Sequence, residues 1–523
     1  MIFPVKTKAM AITAADMDDL DMPEIILGLA MAKGNEDDAH RFLTEYLCCD
    51  RDELVKRQEI IQVLSSNSDA ENKLTSFIQK AELLRQRVNR LTSDRTGSLL
   101  SYYTTGRLIL SGFLELYHDV KSFVSAQDHR SFVEMTQYYE AQEASQAFQY
   151  IQAANDRLGS HDLILRSIDV GINANQFLEM DDFGIIRFNH SSNRTSCLFT
   201  TGAGDTSISG DIKFPRSGNL LHLEAHFRSE FERKHRSTLS AMRRVLDKVH
   251  FALITEFAAQ LLSLELYVSA LHLIRRFNHK NISLCIPQYD KTALSASGML
   301  YPQLALLRDD VVPLSVAFAK GCMVLVTGAN HSGKTSFLKA AAQCIILAHM
   351  GLPVPAEFFS TPVFSQVMTL FSAGEENYSN KSRYQLELEK IKHMYENAHR
   401  DTLILLNEPL TSTNPDEAVG ILGENITHLA GQGCTVITVT HLYDIFHVLK
   451  KSERAMKSFV TCTQLEGKSL QYAYTIRESP PLAQNYAHII AQQYGLTAEQ
   501  LLQNADQIKR INQYLSAKEG FQQ

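Results

Sequence analysis

Residues 328–336 read GANHSGKTS. Gly328, Gly333, Lys334 and Thr335 meet the spacing G-x-x-x-x-G-K-[S/T]. A glycine-rich turn can match that pattern by chance, so the neighbours decide. Residues 323–326 form an apolar run of the kind a buried strand needs, and residues 336–350 are good helix formers. Strand, glycine loop and helix in that order are what phosphate binding requires. Glycines let backbone N–H groups turn toward the phosphates, and the helix N-terminus adds partial positive charge. Lys334 is expected to neutralise the β and γ phosphates of ATP and Thr335 to hold Mg²⁺, with Asn330, Ser332 and Ser336 completing the loop.

Further along, TLILLNEP (402–409) is an apolar strand ending at Asn407-Glu408, and TVITVTH (435–441) is another ending at Thr440-His441. A carboxylate at such a strand end can position the attacking water as a general base. A lone histidine after a strand is more often merely solvated. His441 gains weight only from its place in the series, where it can reach the γ phosphate. Alternating strand and helix runs predict an α/β domain with a mainly parallel sheet over 282–478.

Upstream the texture is different. Residues 36–140 carry apolar positions at helical spacing with few breakers. Residues 163–219 alternate and hold turn residues, which predicts short strands and loops. A helical run follows and includes ALITEFAAQLLSLELYVSALHLIRRF (252–277), apolar nearly all round, as in a buried or inter-domain helix. After Ser479-Pro480-Pro481, residues 479–523 read as two short helices joined at Gly495. The division expected is therefore a helical core from 1 to 281 with its strand-and-loop insert, the α/β domain, and a C-terminal helical segment.

Composition narrows the classes. Of 523 residues 45% are hydrophobic and 21% charged, with a formal net charge of −7, as in ordinary globular protein. Nothing global calls for nucleic acid, but local basic runs exist: Arg85, Arg87, Arg90 and Arg95, then Arg228, Arg233, Lys234, Arg236, Arg243 and Arg244. These suit phosphate contacts or a solvated helix face equally. Eight cysteines form no C-x-x-C pair, so no zinc or disulfide framework shows. The first residues lack a signal pattern, and the apolar patch at 25–32 is too short to span a bilayer. A cytoplasmic protein without a membrane partner is expected.

Several blocks together resemble the MutS family of DNA mismatch-repair ATPases. The phosphate loop, Asn407-Glu408 and Thr440-His441 fall where that family has them. ENYSNKSRYQLELEKI (376–391) resembles its signature segment, and YPQLALLRDDVVPLSVAF (301–318) the lead-in to its ATPase domain. FLTEYLCCDRDELVKRQEIIQVL (42–64), with Arg57-Gln58, resembles the opening helices of its core, and DVGINANQFLEMDDFGIIRFN (169–189) part of its lever region. The resemblance implies an α plus α/β architecture: helical core and levers, an ABC-like P-loop ATPase domain, and a C-terminal helical dimerisation segment. It implies a homodimer joined through the ATPase domains and C-terminal helices, with ATP and Mg²⁺ between. Ser382, beside Asn380 and Lys381, would reach the phosphate held by the partner. The core would surround DNA, as in well-known members.

Three departures stand out. The family's mismatch-reading and connector domains have no counterpart in residues 1–35. Residues 200–230 are short for a DNA-gripping clamp. Asn407 replaces the aspartate that supports Mg²⁺ through the second shell, which implies slow hydrolysis. The expected function is a MutS-like ATPase coupled to structured or branched DNA. The alternative is a ribosome- or protein-directed nucleotide switch that hydrolyses little.

Overall fold

The architecture comes from a computed structural model. It describes residues 8–28, 35–93, 98–160, 167–174, 180–189, 231–233, 235–371, 382–466 and 469–481, with isolated positions at 229 and between 491 and 509. Two compact units divide the chain: residues 1–3 with 72–265, and residues 4–71 with 266–523.

The first unit is mostly helical. Its elements are most of α5 (Ala70–Ser93), then α6 (Leu99–Ser125), α7 (Arg130–Glu143), α8 (Gln146–Ser160), a β1–β2 antiparallel pair (Ser167–Ala174, Met180–Asn189), α9 (Arg236–Leu246) and α10 (Phe251–Leu262). The core is aromatic. Phe113, Tyr117, Tyr139, Phe148 and Phe257 lie ring to ring at 4.6–6.4 Å. The buried Tyr117 hydroxyl donates to the Tyr139 carbonyl (2.7 Å) and that of Tyr103 to the Leu158 carbonyl (3.0 Å), whereas the buried Tyr139 hydroxyl has no hydrogen-bond partner among the described residues. Helices α6 and α9 touch at Gly106, where a Cβ would stand 2.5 Å from Leu246 Cδ1. The expected strand-and-loop insert over 163–219 is described only as the β1–β2 pair.

The second unit holds the sheets. The main one has six strands in the order β12-β11-β6-β10-β9-β8: β6 (Met323–Thr327), β8 (Gln366–Phe371), β9 (Thr402–Asn407), β10 (Thr435–Val439), β11 (Met456–Glu466) and β12 (Ser469–Glu478). All neighbours run parallel except β11–β12. Residues of β6 and β10 are buried throughout, because helices cover both faces. On one side lies α13 (Lys334–Ala348), nearly all buried. On the other, α14 (Arg383–Asn397) and α15 (Pro415–Gly431) pack Ile391, Met394, Leu422 and Ile426 on Met323, Leu325, Ile404, Leu406 and Val436. A second sheet, β3-β7-β4-β5, adds β3 (Gln288–Tyr289), β4 (Ala293–Met299), β5 (Leu314–Ala319) and β7 (Phe358–Thr361), with α12 (Pro302–Leu307) between β4 and β5.

One expected boundary differs. The N-terminal helices α1 (Ala14–Asp19), α2 (Met22–Gly28), α3 (Glu36–Tyr46) and α4 (Arg51–Ser65) belong to the sheet-bearing unit, not to the helical one. Arg57 shows why. Its guanidinium is buried and donates to the carbonyls of Tyr46 (2.6 Å) and Met350 (3.3 Å), with Glu53 at 3.1 Å. Gln58 donates to the Pro287 carbonyl and the Tyr289 hydroxyl. The N-terminal stretch also guards the sheet edge. Ala11 bridges to Gln366, and the Thr369 N–H donates to Asp16 (2.8 Å), which occupies the open side of β8. The apolar run at 252–277 is split into α10 and α11 (Glu265–His279). Taken as one, it is long and apolar enough to cross a membrane. Each half instead turns a buried stripe inward: Ile254, Phe257, Ala258 and Leu261, then Leu266, Ala270 and Leu273.

Candidate nucleotide site

Strand order builds the site. Strand β10 lies between β6 and β9, so Thr327, Asn407 and Val439 end side by side on the same edge of a parallel sheet. Ligands in open α/β sheets bind beyond such carboxyl ends. The 328–336 loop leaves β6 there with Gly328 at φ +152°, His331 at +63° and Gly333 at +94° before α13 begins. Glycine suits the first and last of these because a Cβ is disfavoured at positive φ.

Lys334 is buried, 4% exposed, and its Nζ turns back on its own loop. It donates to the carbonyls of Gly328 (3.1 Å) and Ala329 (3.0 Å) and lies 3.5 Å from Glu408 Oε1. Burial pushes its amine below the ordinary lysine value, with Glu408 pulling the other way. Phosphate oxygens would replace those carbonyls as partners and favour the charged amine. Thr335 Oγ1 donates to Asn407 Oδ1 at 2.9 Å, which ties the start of α13 to the end of β9. A hydroxyl and an amide oxygen are hard donors that fit Mg²⁺ bound through a phosphate and water.

Glu408 follows directly, at φ +49°, its N–H held by the Val439 carbonyl (2.8 Å). His441 Nδ1 is 3.6 Å from its carboxylate. That ring first, and Lys334 after it, hold the Glu408 carboxyl below the usual carboxylate range against the effect of burial. A weakly basic carboxylate suits orienting a water better than removing its proton.

Of the expected residues, the structure brings Gly328, Ser332, Gly333, Lys334, Thr335, Asn407, Glu408 and His441 together. Asn330 and Ser336 sit on the loop with exposed side chains. Ser382 is the N-cap of α14, accepting from Gln385 N–H (3.3 Å) while Gln385 Oε1 accepts from Ser382 N–H (2.9 Å). Those partners are in its own first turn. Asn380 and Lys381 lie outside the described residues, as do Arg95, Arg228, Lys234 and most of the C-terminal helical segment. Arg233, Arg236 and Arg244 are exposed, Arg85 pairs with Glu82 (2.8 Å), and Arg243 stacks over Tyr102.

Two residues of the site escaped the sequence. Thr461 on β11 meets Ser332 hydroxyl to hydroxyl at 2.5 Å and fills the space where a Gly328 Cβ would be. Tyr474 on β12 stands at φ +54° opposite an irregularity in the β11–β12 pairing, and its ring lies 3.3 Å from a Cβ built on Gly333. An irregular hairpin register re-aims side chains. Here it lays a half-exposed aromatic ring over the loop.

Residues 324–512 match the family model for MutS domain V. That segment carries the family resemblance, and the relatives the chain is similar to are MutS-family proteins. It is 32% identical over 126 residues to MutS protein homolog 4 of Mus musculus, covering 24% of this chain and 13% of that protein. It is 24% identical over 317 residues to DNA mismatch repair protein MutS of Lactobacillus delbrueckii subsp. bulgaricus, covering 57% of this chain and 36% of that one. DNA mismatch repair protein MSH3 of Cryptococcus neoformans is 29% identical over 144 residues, 27% of this chain and 12% of that protein. The chain thus spans little more than a third of the length of these MutS relatives at most.

Proposed function

We propose that this chain is a MutS-type ATPase that acts in the cytoplasm as a homodimer and couples ATP binding and hydrolysis to holding DNA, structured or branched rather than mismatched. The observation that carries the reading is the apposition of Lys334, Thr335–Asn407, Glu408 and His441 at the carboxyl edge of one parallel sheet. Relatives named as mismatch-repair proteins support the DNA side.

In this mechanism the loop N–H groups and Lys334 take the phosphates. Thr335 and Asn407 would hold Mg²⁺ through their oxygens, the hydroxyl directly and the amide through water. Mg²⁺, when bound with the nucleotide, neutralises charge on the β and γ phosphates. Glu408 orients the attacking water, and His441 stands beside both Glu408 and the space for the γ phosphate. Ser382 completes the site across the dimer. With a neutral Asn407 the metal is held less firmly, and turnover is slow.

The test is steady-state ATP turnover by the purified chain alone and with homoduplex, mismatched or four-way-junction DNA. Junction stimulation is expected, lost in Lys334→Ala, with Glu408→Gln binding ATP but not releasing product. A flat response to every DNA overturns the DNA coupling. Normal nucleotide binding by Lys334→Ala overturns the site.

A further inference from the structure

Glu387 is a buried carboxylate, 4% exposed, on the face of α14 that also carries Ile391 and Met394. Burying an acid among apolar side chains is unfavourable unless its oxygens are used. Both are. Oε1 accepts from Arg383 Nε (3.1 Å), and Oε2 accepts from the Leu410 N–H (2.8 Å). Arg383 also donates to Thr411 Oγ1 (3.3 Å). Two successive turns of α14 therefore grip the two positions that come just after Glu408-Pro409.

That turn needs a grip. Glu408 and Leu410 both have left-handed φ, +49° and +57°, without being glycine. Such conformations persist only where the surroundings over-determine them. The turn is fixed at the Glu408 N–H by the Val439 carbonyl, at the Leu410 N–H by Glu387, and through the buried Leu410 side chain by the core under α14 and α15. Without the Glu387 contact, the Leu410 N–H is buried and unpaired, and the turn relaxes toward ordinary φ. The Glu408 carboxylate then leaves its place beside Lys334 and His441.

We propose that Glu387, assisted by Arg383, is a positioning residue for Glu408: it holds the strained turn after β9 that aims the water-orienting carboxylate. This rests on the ATPase reading above. It assigns Glu387 no contact with nucleotide, so its loss acts on the rate of the chemical step and not on ATP binding.

The experiment uses the full chain as wild type, Glu387→Ala, Glu387→Asp, Glu387→Gln and Arg383→Ala, with Mg²⁺-ATP as the probe. It reads kcat, KM, and amide hydrogen exchange over 407–414 and 323–327. Glu387→Ala lowers kcat about tenfold or more with KM within about twofold, as expected for loss of one buried hydrogen bond felt only in the transition state. Exchange over 407–414 quickens by at least about tenfold, while 323–327 is unchanged. Glu387→Asp, which withdraws the acceptor by one methylene, behaves similarly and keeps the test open if the alanine variant does not fold. Glu387→Gln keeps an acceptor for Leu410 and recovers kcat to within about threefold, and Arg383→Ala loses about threefold. Wild-type kcat in both Glu387→Ala and Glu387→Asp overturns the role, as does a raised KM at unchanged kcat, or equal losses in Glu387→Gln and Glu387→Ala. A wild-type chain without turnover overturns the ATPase reading itself, and the role of Glu387 with it.

Discussion

Replacing Gly328 by alanine tests whether the phosphate loop is locked by β11. A Cβ at that position stands 1.7 Å from Thr461 Oγ1, 3.0 Å from Thr461 Cβ and 3.2 Å from Ser332 Oγ, and φ is +152°. The backbone conformation alone costs an alanine about 1–3 kcal/mol. Thr461 must also rotate away, abandoning its 2.5 Å bond to Ser332 and its weaker one to the Thr327 carbonyl. A buried hydroxyl left unpaired costs about 1–3 kcal/mol more. The total, roughly 2–6 kcal/mol, is a large part of a typical domain stability of about 5–15 kcal/mol. Thr461→Ala alone is mild, about 0.5–1.5 kcal/mol, because Ser332 still donates to the Ala329 carbonyl at 2.6 Å. In Gly328→Ala/Thr461→Ala the 1.7 Å clash is gone, while the backbone strain, the close contact with the 461 Cβ and the cost of Thr461→Ala itself remain, so the two changes couple favourably by about 1–3 kcal/mol. Urea unfolding of the three variants measures this, using the transition that added ATP shifts, since the chain has two compact units. ATP affinity follows the same order, lowest in Gly328→Ala. Additive costs to within about 0.5 kcal/mol, or a Gly328→Ala protein with wild-type stability and ATP affinity, refute the lock.

Two further outcomes follow from the same site. Asn407→Asp keeps an oxygen for Thr335 and adds a negative charge; about 6 Å from a divalent ion with water-like screening, that is worth roughly 1.4 kcal/mol, or about tenfold. The Mg²⁺ concentration for half-maximal turnover drops about tenfold and kcat rises, and an unchanged Mg²⁺ titration counts against Asn407 as the metal's support. Burial lowers the Lys334 pKa, and only the charged amine attracts phosphate, so ATP affinity is fully present below that lowered value and is lost as pH rises through it. Binding titrations at rising pH therefore weaken before the ordinary lysine value of 10.5 is reached, and an affinity that holds up to 10.5 excludes Lys334 as the titrating group.

What the sequence disclosed was what local chemistry forces. Gly328 and Gly333 occupy positive φ, Lys334 and Thr335 open a helix, and Asn407-Glu408 and His441 follow buried strands, because each of these is written in a few consecutive residues. Allegiance was not legible. The periodicity of α4 says that Leu54, Ile61 and Leu64 are buried but not against what. The bonds from Arg57 to the Met350 carbonyl, 293 residues away, and from Gln58 to the Pro287 carbonyl and the Tyr289 hydroxyl assign that helix to the sheet-bearing unit. Thr461 and Tyr474 were invisible for the same reason: a threonine in a strand is ordinary until the strand pairs beside β6 and delivers its hydroxyl to Ser332. Ser382 shows the converse. Its spacing to Gln385 is a capping box, which explains the serine by local structure alone. The role across a dimer rests on family resemblance.

Backbone strain argues that the site is preorganised. Eight non-glycine residues among those described have left-handed φ, and four of them, His331, Glu408, Leu410 and Tyr474, surround the phosphate loop. Each such conformation costs of order 1–3 kcal/mol, so chance would scatter them over turns that can relax. Instead each is fastened by a neighbour that cannot easily move. His331 lies between two constrained glycines, and Glu408 hangs from β10 through Val439. Leu410 hangs from Glu387, and Tyr474 is held by an irregular hairpin register. The parallel strands beneath supply the rigidity, since β6, β9 and β10 are almost wholly buried. Strain fixed in this way lets the loop, the carboxylate and the aromatic ring keep their places before nucleotide arrives. It follows that changes relaxing any one of these turns should slow turnover more than they weaken the fold, which is the pattern by which a strained site differs from a merely irregular one.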